Sequence, residues 1–525
     1  MKIPGLDLAF MPLPAPVPMA HGQVTDMQWL AAAAAVREAG GRLLALWAGQ
    51  AVPVAEGPLR AEAVCAAYAT PEGLFWLTLP LVAGNGFTPY PDLATVFPAA
   101  GRMQRAAADL SGVHAEGAQD QRAWLNHGAW AREHPPLLQN PLALPEPAPG
   151  PLTDYPFVQV AGDGVHEIAV GPVHAGIIEP GHFRFSVVGE KVLRLEQRLG
   201  YTHKGVEQRM TQLAPLQAHR LAGRVSGDST VAFAWAYCMA LESATRTVVP
   251  PRAAWLRALL LERERIANHL GDLGALGNDA AFAFALAQFS RLREDWLRDS
   301  HAAFGHRLMM DCVQPGGVQG DVADEQIDRM LQTCELLEND VRRLFAIFES
   351  HAGLQDRLMN CGSVPPALAA QLGLTGLAGR ASGQARDLRC DHPWAPYDQL
   401  EVAMATHRGG DVAARVALRF DEVFESIRLV RDLLRGLPQG PVRCELALPD
   451  LPCRGAGWVE GWRGEVFVAL ELVGGGAGAR IARCHLHDPS WQNWPVLEHA
   501  IMGDIVADFP LINKSFNLSY SGHDL

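Results

Sequence analysis

The sequence predicts an α+β protein. A small N-terminal α/β domain precedes a larger, mainly helical bundle flanked by small β-sheets. Three observations lead there. The chain has 525 residues, more than one hydrophobic core ordinarily organises. A proline-dense stretch, "PPLLQNPLALPEPAPGPLTDYP" (135–156), reads as an extended, fairly stiff connector. Between about residue 206 and 350, long segments repeat apolar residues every three or four positions, the period of an amphipathic helix. These boundaries divide the chain into residues 1–142, a linker over 143–156, and residues 157–525.

The elements follow in chain order. "MQWLAAAAAVREAGGRLLALWAG" is helix-like and "GLFWLTLPLV" strand-like, giving the first domain both kinds of element. Beyond the linker, "FVQVAGDGVHEIAVGPVHAG" and "FRFSVVGEKVLRLEQRLG" predict two β-hairpins, turning at Gly162-Asp163-Gly164 and Gly189-Glu190. Helices are predicted over "RAAWLRALLLERERIANHLGDLGAL", "DEQIDRMLQTCELLENDVRRLFAIFESH" and "VAARVALRFDEVFESIRLVRDLLRGL", the last ending at Gly436. Short strands are expected from about 441 to 486.

Composition excludes several classes. Hydrophobic residues make up 49% of the chain and charged ones 19%, ample for a packed core. A net charge of -13 argues against nucleic acid as the main partner. No run of about eighteen apolar residues occurs, so no direct membrane span is expected. The nine cysteines include no CxxC pair, which leaves no sequence-evident zinc or iron–sulfur motif and suits reduced cytoplasmic thiols.

Four stretches hold candidate chemistry. In "GYTHKGVEQRM" (200–210), Glu207 stands among His203, Lys204 and Arg209. It is either a solvated helix-start carboxylate favoured by the dipole or a partly buried proton carrier tuned by those basic neighbours. "GPVHAGIIEPGHFRF" (171–185) carries His174, His182 and Arg184; each imidazole is either proton-linked or an ordinary satisfied histidine. "GRASGQARDLRCDHPW" (379–394) alternates Arg380, Arg386 and Arg389 with Asp387 and Asp391. It is either a mobile ion-pair loop or a partner-docking segment. In "RVSGDSTVAFAWAY" (224–237), Ser226 and Ser229 stand three apart around Asp228. They are either helix caps or the remains of a metal site whose cysteines have gone.

Taken in order, "GPVHAGIIEPGHFRF", "GYTHKGVEQ", "RASGQARDLRCDHP" and "WPVLEHAIMGD" resemble the large subunit of membrane-bound [NiFe]-hydrogenases of the formate-hydrogenlyase and hydrogenase-4 type. That family is similar in turn to the 49-kDa quinone-site subunit of respiratory complex I. "VFPAAGRMQRAAADLSGVHAEG" more loosely resembles the complex I 30-kDa subunit, fused in front.

The resemblance turns on what is missing. The family's first nickel-ligand pair has the pattern R-x-C-G-x-C with a histidine four residues on. Here it reads Arg224-Val225-Ser226-Gly227-Asp228-Ser229, with Phe233 in the histidine's place. The second pair, D-P-C-x-x-C, reads Asn517-Leu518-Ser519-Tyr520-Ser521-Gly522. Ser226, Ser229, Ser519 and Gly522 thus occupy all four thiolate positions, and no nickel is expected. Glu207 falls at the family's proton-gate glutamate. Gly227 falls where complex I has its quinone-binding tyrosine, and His174 corresponds to the complex I hairpin histidine.

The resemblance implies catalytic roles for Glu207, Asp228 and His174. It implies acceptor contacts from His174, His182, Arg184, Arg386 and Asp387. It implies no cofactor held by this chain, quinone as an admissible acceptor, and an iron–sulfur cluster in a partner small subunit. An antiporter-like membrane arm and a peripheral place on the cytoplasmic face of the inner membrane complete the expectation. Two roles stay open: a redox-coupling subunit, or an inert link in which Ser226, Asp228 and Ser229 are only caps.

Overall fold

The computed structural model describes residues 1–52, 59–81, 88–138, 155–174 and 178–525. Apart from Tyr155 and Pro156, the expected linker lies outside them.

The N-terminal segment is a five-stranded mixed sheet in the order Met11–Pro12, Met19–Gln23, Gly73–Pro80, Ala63–Thr70, Arg42–Ala48. The Asp26–Glu38 helix opens on a capping box, in which Thr25 N–H donates to Gln28 Oε1 at 3.0 Å and Thr25 Oγ1 accepts from Gln28 N–H. The helix-like reading of "MQWLAAAAAVREAGGRLLALWAG" is half corrected. Gly40, at φ +74°, turns the chain out of the helix, and Arg42–Ala48 is a strand buried along its whole length. Burial on both faces removes the alternation that marks a strand in sequence. One face meets the Ala100–Ser111 helix. Trp47 also packs on Phe467 (5.8 Å between ring centroids) and stacks on His485 (4.7 Å), both in the C-terminal segment.

The two expected hairpins become one three-stranded antiparallel sheet, Val165–Val170, His182–Val188, Lys191–Arg198. The Gly189-Glu190 turn stands as expected. Gly162-Asp163-Gly164 instead leads into the first strand from irregular chain. Residues 157–161 find no strand partner; they are held by Val158 N–H donating to Glu196 Oε2 (2.8 Å) and by the Arg184 guanidinium over Phe157 (4.6 Å).

Helices Thr230–Thr245, Pro251–Asp279, Ala283–Phe304, Asp324–Ser350 and Val412–Arg435 form the bundle. Asp324–Ser350 buries Met330, Cys334, Leu337, Val341, Leu344 and Phe348, the single stripe its periodicity predicts. Asp411 caps Val412–Arg435 by accepting from Ala414 N–H (2.8 Å), and Gly436 ends it.

A second antiparallel sheet, Cys453–Glu460, Glu465–Val473, Arg480–His487, lies against the Thr230–Thr245 helix. Gly455 and Gly457 permit that approach, since a Cβ on either would overlap the carbonyl of Ala240 or Ala236. The strands begin later than expected because Pro449 and Pro452 break the run before Cys453. Nearly all buried apolar side chains, from both segments, belong to one contiguous core. Its sheet and helix ends carry the polar residues described next.

Candidate functional site

The four vacated positions converge. Ser226 precedes a short 3-10 turn, Gly227–Ser229, that leads into the Thr230–Thr245 helix. Ser519 caps the Tyr520–Asp524 helix, its Oγ accepting from Gly522 N–H at 2.8 Å. Across 293 residues of sequence, Ser519 Oγ–H donates to Ser226 Oγ at 3.1 Å. Ser226 Oγ–H donates in turn to Asp228 Oδ1 at 2.5 Å. The result is a one-way hydrogen-bond chain from a backbone amide, through two hydroxyls, to a carboxylate. Ser229 Oγ accepts from Trp462 Nε1–H (3.1 Å) and from Arg463 (3.2 Å). A Cβ on Gly522 would collide with Asp488 Oδ2, so a carboxyl group fills the space beside the position expected to have held the fourth ligand.

Asp228 faces Arg463, whose guanidinium meets both carboxylate oxygens, one contact at 2.9 Å. Burial pushes the Asp228 carboxyl up, but Arg463 and Ser226 outweigh it and hold it below the ordinary range. Arg463 Nε–H also donates to Asn517 O (2.6 Å), which ties the two vacated pairs together. Above this floor opens a cleft of about 380 Å³, walled by Lys514, Ser519 and Tyr520.

The donors do not fit nickel. Three hydroxyls and a glycine stand where a soft metal needs thiolates, and a serine hydroxyl does not ionise near neutrality. Among the described residues no cysteine lines the cleft.

The helix-cap reading of Ser226, Asp228 and Ser229 is also overturned. None of them caps the Thr230–Thr245 helix by a side-chain hydrogen bond. That role belongs to Glu264, on the neighbouring Pro251–Asp279 helix, which accepts from Val231 N–H (2.7 Å) and Ala232 N–H (3.2 Å). Burial drives the Glu264 carboxyl up to about 8, against the pull of those amides and with help from the Asp228 charge.

Glu207 is 4% exposed, so the solvated helix-start reading is corrected. It accepts from Arg483 (3.1 Å) and His485 Nδ1–H (2.7 Å). Burial opposes ionisation, yet Arg483 prevails and holds the carboxyl down to about 2. Burial keeps His485 neutral. The basic neighbours in sequence are engaged elsewhere: His203 with Asp524 O, Lys204 with Val225 O, Arg209 with Gln212. Glu207 does not line the cleft. It faces the N-terminal strand, where Arg483 Nε–H donates to Ala48 O (2.9 Å).

His174 and His182 are tied to their own loop, His174 Nε2 to Gly181 O (2.9 Å) and His182 Nδ1 to Gly171 O (3.2 Å). Arg184 pairs with Glu167 (2.8 Å). None of the three lines the cleft, but their loop abuts it. Glu179 accepts from Ser521 N–H (3.1 Å), and a Cβ on Gly181 would meet Tyr520 at 2.6 Å. Residues 175–177 lie outside the described set.

The arginine stretch is neither a mobile loop nor a docking segment at its charged core. Arg380, Asp387 and Arg389 are 1–3% exposed. Asp387 binds Arg389 through both oxygens (3.0 and 2.7 Å). Asp391 is exposed; Arg386 is half-buried and donates to Gly40 O of the N-terminal segment (3.1 Å). It borders a second cleft of about 390 Å³ shared with Leu388, Asp391 and Glu465.

Sequence reading passed over Arg463, Arg483, His485, Asp488, Glu264 and Glu460. "EGWRGE" (460–465) and "RCHLHD" (483–488) are dense in charge, but their spacing is that of strand and turn. The partners of Arg463, Arg483 and His485, Asp228 and Glu207, lie more than two hundred residues away.

Comparisons with known proteins agree with this architecture. The family model described as "Respiratory-chain NADH dehydrogenase, 49 Kd subunit" matches residues 276–457, and that of the 30 Kd subunit matches 23–143. Formate hydrogenlyase subunit 5 of Escherichia coli is 30% identical over 455 residues, 86% of this chain and 79% of that one. A carbon monoxide-induced hydrogenase of Rhodospirillum rubrum is 32% identical over 354 residues, 67% of this chain and 97% of that one. NADH-quinone oxidoreductase subunit 4 of Thermus thermophilus is 29% identical over 381 residues, 67% of this chain and 92% of that one. A chain from the solved structure of a membrane-bound sulfane sulfur reductase, titled an archaeal respiratory membrane complex, superposes with a TM-score of 0.65. It is 24% identical and covers 70% of this chain and all of its own, a likeness of fold.

Proposed function

The chain belongs to the family of formate hydrogenlyase subunit 5 and hydrogenase-4 component G, and from that premise we propose that it is a non-hydrogenase redox-coupling subunit of a membrane-bound, complex I-like assembly. It sits beside an iron–sulfur small subunit and passes electrons to a small acceptor, quinone being the leading class, held in the cleft above Asp228. The complex docks on a membrane arm at the cytoplasmic face. Among the described residues no helix is long and apolar enough to cross a membrane, in keeping with peripheral attachment.

One observation carries this reading. The vacated ligand positions have been remade as an ordered polar floor, Ser519 to Ser226 to Asp228 against Arg463, beneath an open cleft. Burying the Arg463 guanidinium and two hydroxyls beside a half-buried Asp228 costs stability unless each is partnered; a link with no chemistry gains more from filling the space with apolar side chains. Asp228 fixes the direction of both serine protons within the floor, and Lys514 and Tyr520 on the cleft wall are left to meet an acceptor oxygen.

The test is Asp228→Asn in the purified complex, with assembly and donor-driven quinone reduction measured together. Asn keeps the shape and loses the charge that orients Ser226 and balances Arg463. Assembly without turnover is expected. Full turnover in the assembled variant supports the inert linking role instead.

A further inference from the structure

Seven ionisable side chains form a closed cluster at the centre of the bundle. Glu262 pairs with Arg265 and Arg389, and Asp387 with Arg389 and Arg380. Glu422 pairs with Arg380 and Arg265, and Glu460 with Arg380. All seven are 4% exposed or less. His269 also donates to Glu422 at 2.8 Å, and burial keeps that ring neutral. The cluster therefore sets four carboxyls against three guanidinium groups. A surplus charge in so dry a place is costly, and a carboxyl relieves it by taking a proton.

Hydrogen bonding distinguishes the four carboxyls. Glu262 has Arg389 (3.0 Å), Arg265 (3.3 Å) and the hydroxyls of Tyr397 (2.6 Å) and Ser426 (2.7 Å). Asp387 holds Arg389 by two contacts and accepts its backbone N–H. Glu422 has Arg380 through two nitrogens (3.1 and 2.7 Å) together with His269. Glu460 has one arginine contact, Arg380 at 3.0 Å, and one amide, Leu388 N–H at 3.2 Å. It is the least compensated of the four. Asp387 on one side and Glu465 on the next strand both bear on it unfavourably, while Arg265 reaches only its backbone carbonyl (2.8 Å).

We infer that Glu460 is a proton-exchange site, holding and releasing the single proton that balances the buried ion cluster. Leu388, whose amide binds Glu460 Oε2, lines the second cleft together with Arg386, Asp391 and Glu465, so the released proton has a short way to solvent. Burial first, and then the Asp387 charge, raise this carboxyl to about 7, within reach of small changes in nearby charge. Cys390 also bears on this carboxyl, and burial keeps that thiol protonated, raised to about 12. Any use of this proton in turnover rests on the proposed function; its presence does not.

Infrared spectroscopy of the full chain tests the site without turnover. The protonated-carboxyl band is followed as pH is raised through neutrality in wild type and in Glu460→Gln. Glu264 contributes to both proteins, so the wild-type-minus-variant difference is the reading. The expected difference is one carboxylic acid per chain, ionising with a midpoint near pH 7. Gln keeps the Arg380 contact and mimics the protonated state, so this variant is expected to fold. Glu262→Gln supplies a second arm, since removing one carboxylate abolishes the surplus and should shift the wild-type midpoint to the acid side. No difference between wild type and Glu460→Gln overturns the inference and leaves the reading of the Asp228 cleft standing. Should Glu460→Gln fail to fold, an unshifted midpoint in Glu262→Gln overturns it equally.

Discussion

Replacing Glu207 by Gln tests the electrostatics beneath the N-terminal strand. Glu207 is fully buried and ionised, with a folded-state pKa of about 2 against an ordinary value of 4.5. At about 1.4 kcal/mol per unit, that difference corresponds to about 3 kcal/mol of stability at neutral pH. Because the folded value is depressed, the contribution is present above about pH 4.5 and is lost as pH falls toward about 2. An independent route gives a similar figure. Removing one partner of a buried ion pair costs about 3–5 kcal/mol, because the other charge is stranded. Arg483 keeps its bonds to the carbonyls of Ala48 (2.9 Å) and Cys484 (2.8 Å), which favours the lower end. Chemical denaturation followed by tryptophan fluorescence suits the question, since Trp47 stacks on His485 beside the mutated group. The variant should unfold with about 3 kcal/mol less stability at pH 7, a gap that narrows in acid. A loss below about 1 kcal/mol, the worth of a dipole-stabilising surface carboxylate, refutes the assignment of Arg483 as its partner.

Three further outcomes are expected. Elemental analysis of the purified protein should find no stoichiometric nickel, and one nickel per chain would contradict the donor chemistry of Ser226, Ser229, Ser519 and Gly522. Glu264, raised to about 8 by burial, binds its proton more tightly in the folded state. Wild type should therefore lose stability relative to Glu264→Gln as pH rises from about 5 to about 8, and parallel pH–stability curves would refute the shift. Limited proteolysis should cut first near residues 140 to 155, in the proline stretch, and release two stable fragments or a nicked complex; first cleavage inside the helical bundle would count against the proposed two-domain division.

Much of the fold was legible because local pattern and tertiary outcome agree. Asp324–Ser350 carries one apolar stripe, Val412–Arg435 ends at its expected glycine, and the Gly189-Glu190 turn has its hairpin. Legibility failed where burial erased periodicity. Arg42–Ala48 reads as a continuation of the preceding helix because both its faces are covered. The four positions that the resemblance reads as former ligands, Ser226, Ser229, Ser519 and Gly522, lie together in the structure. Their replacements were not legible. Arg463, Asp488 and Glu264 reach the site from distant elements, and no local spacing announces which carboxylate meets which guanidinium. Glu207 shows the same limit: its neighbours in sequence are basic, yet Arg483 and His485 set its state.

The seam between the two segments bears on how the gene is built. Trp47 lies between Phe467 and His485, Arg42 pairs with Glu465, and Arg386 holds Gly40. Contacts of this kind, aromatic packing beside a buried ion pair, are those by which two separately made polypeptides associate. Joined through one covalent tether, the halves meet at an effective concentration on the order of millimolar, whatever the amount of protein in the cell. Mutations that weaken the seam are thereby masked in the fused chain. They would be exposed by splitting the gene at the tether, which turns a silent contact into a dose-dependent one.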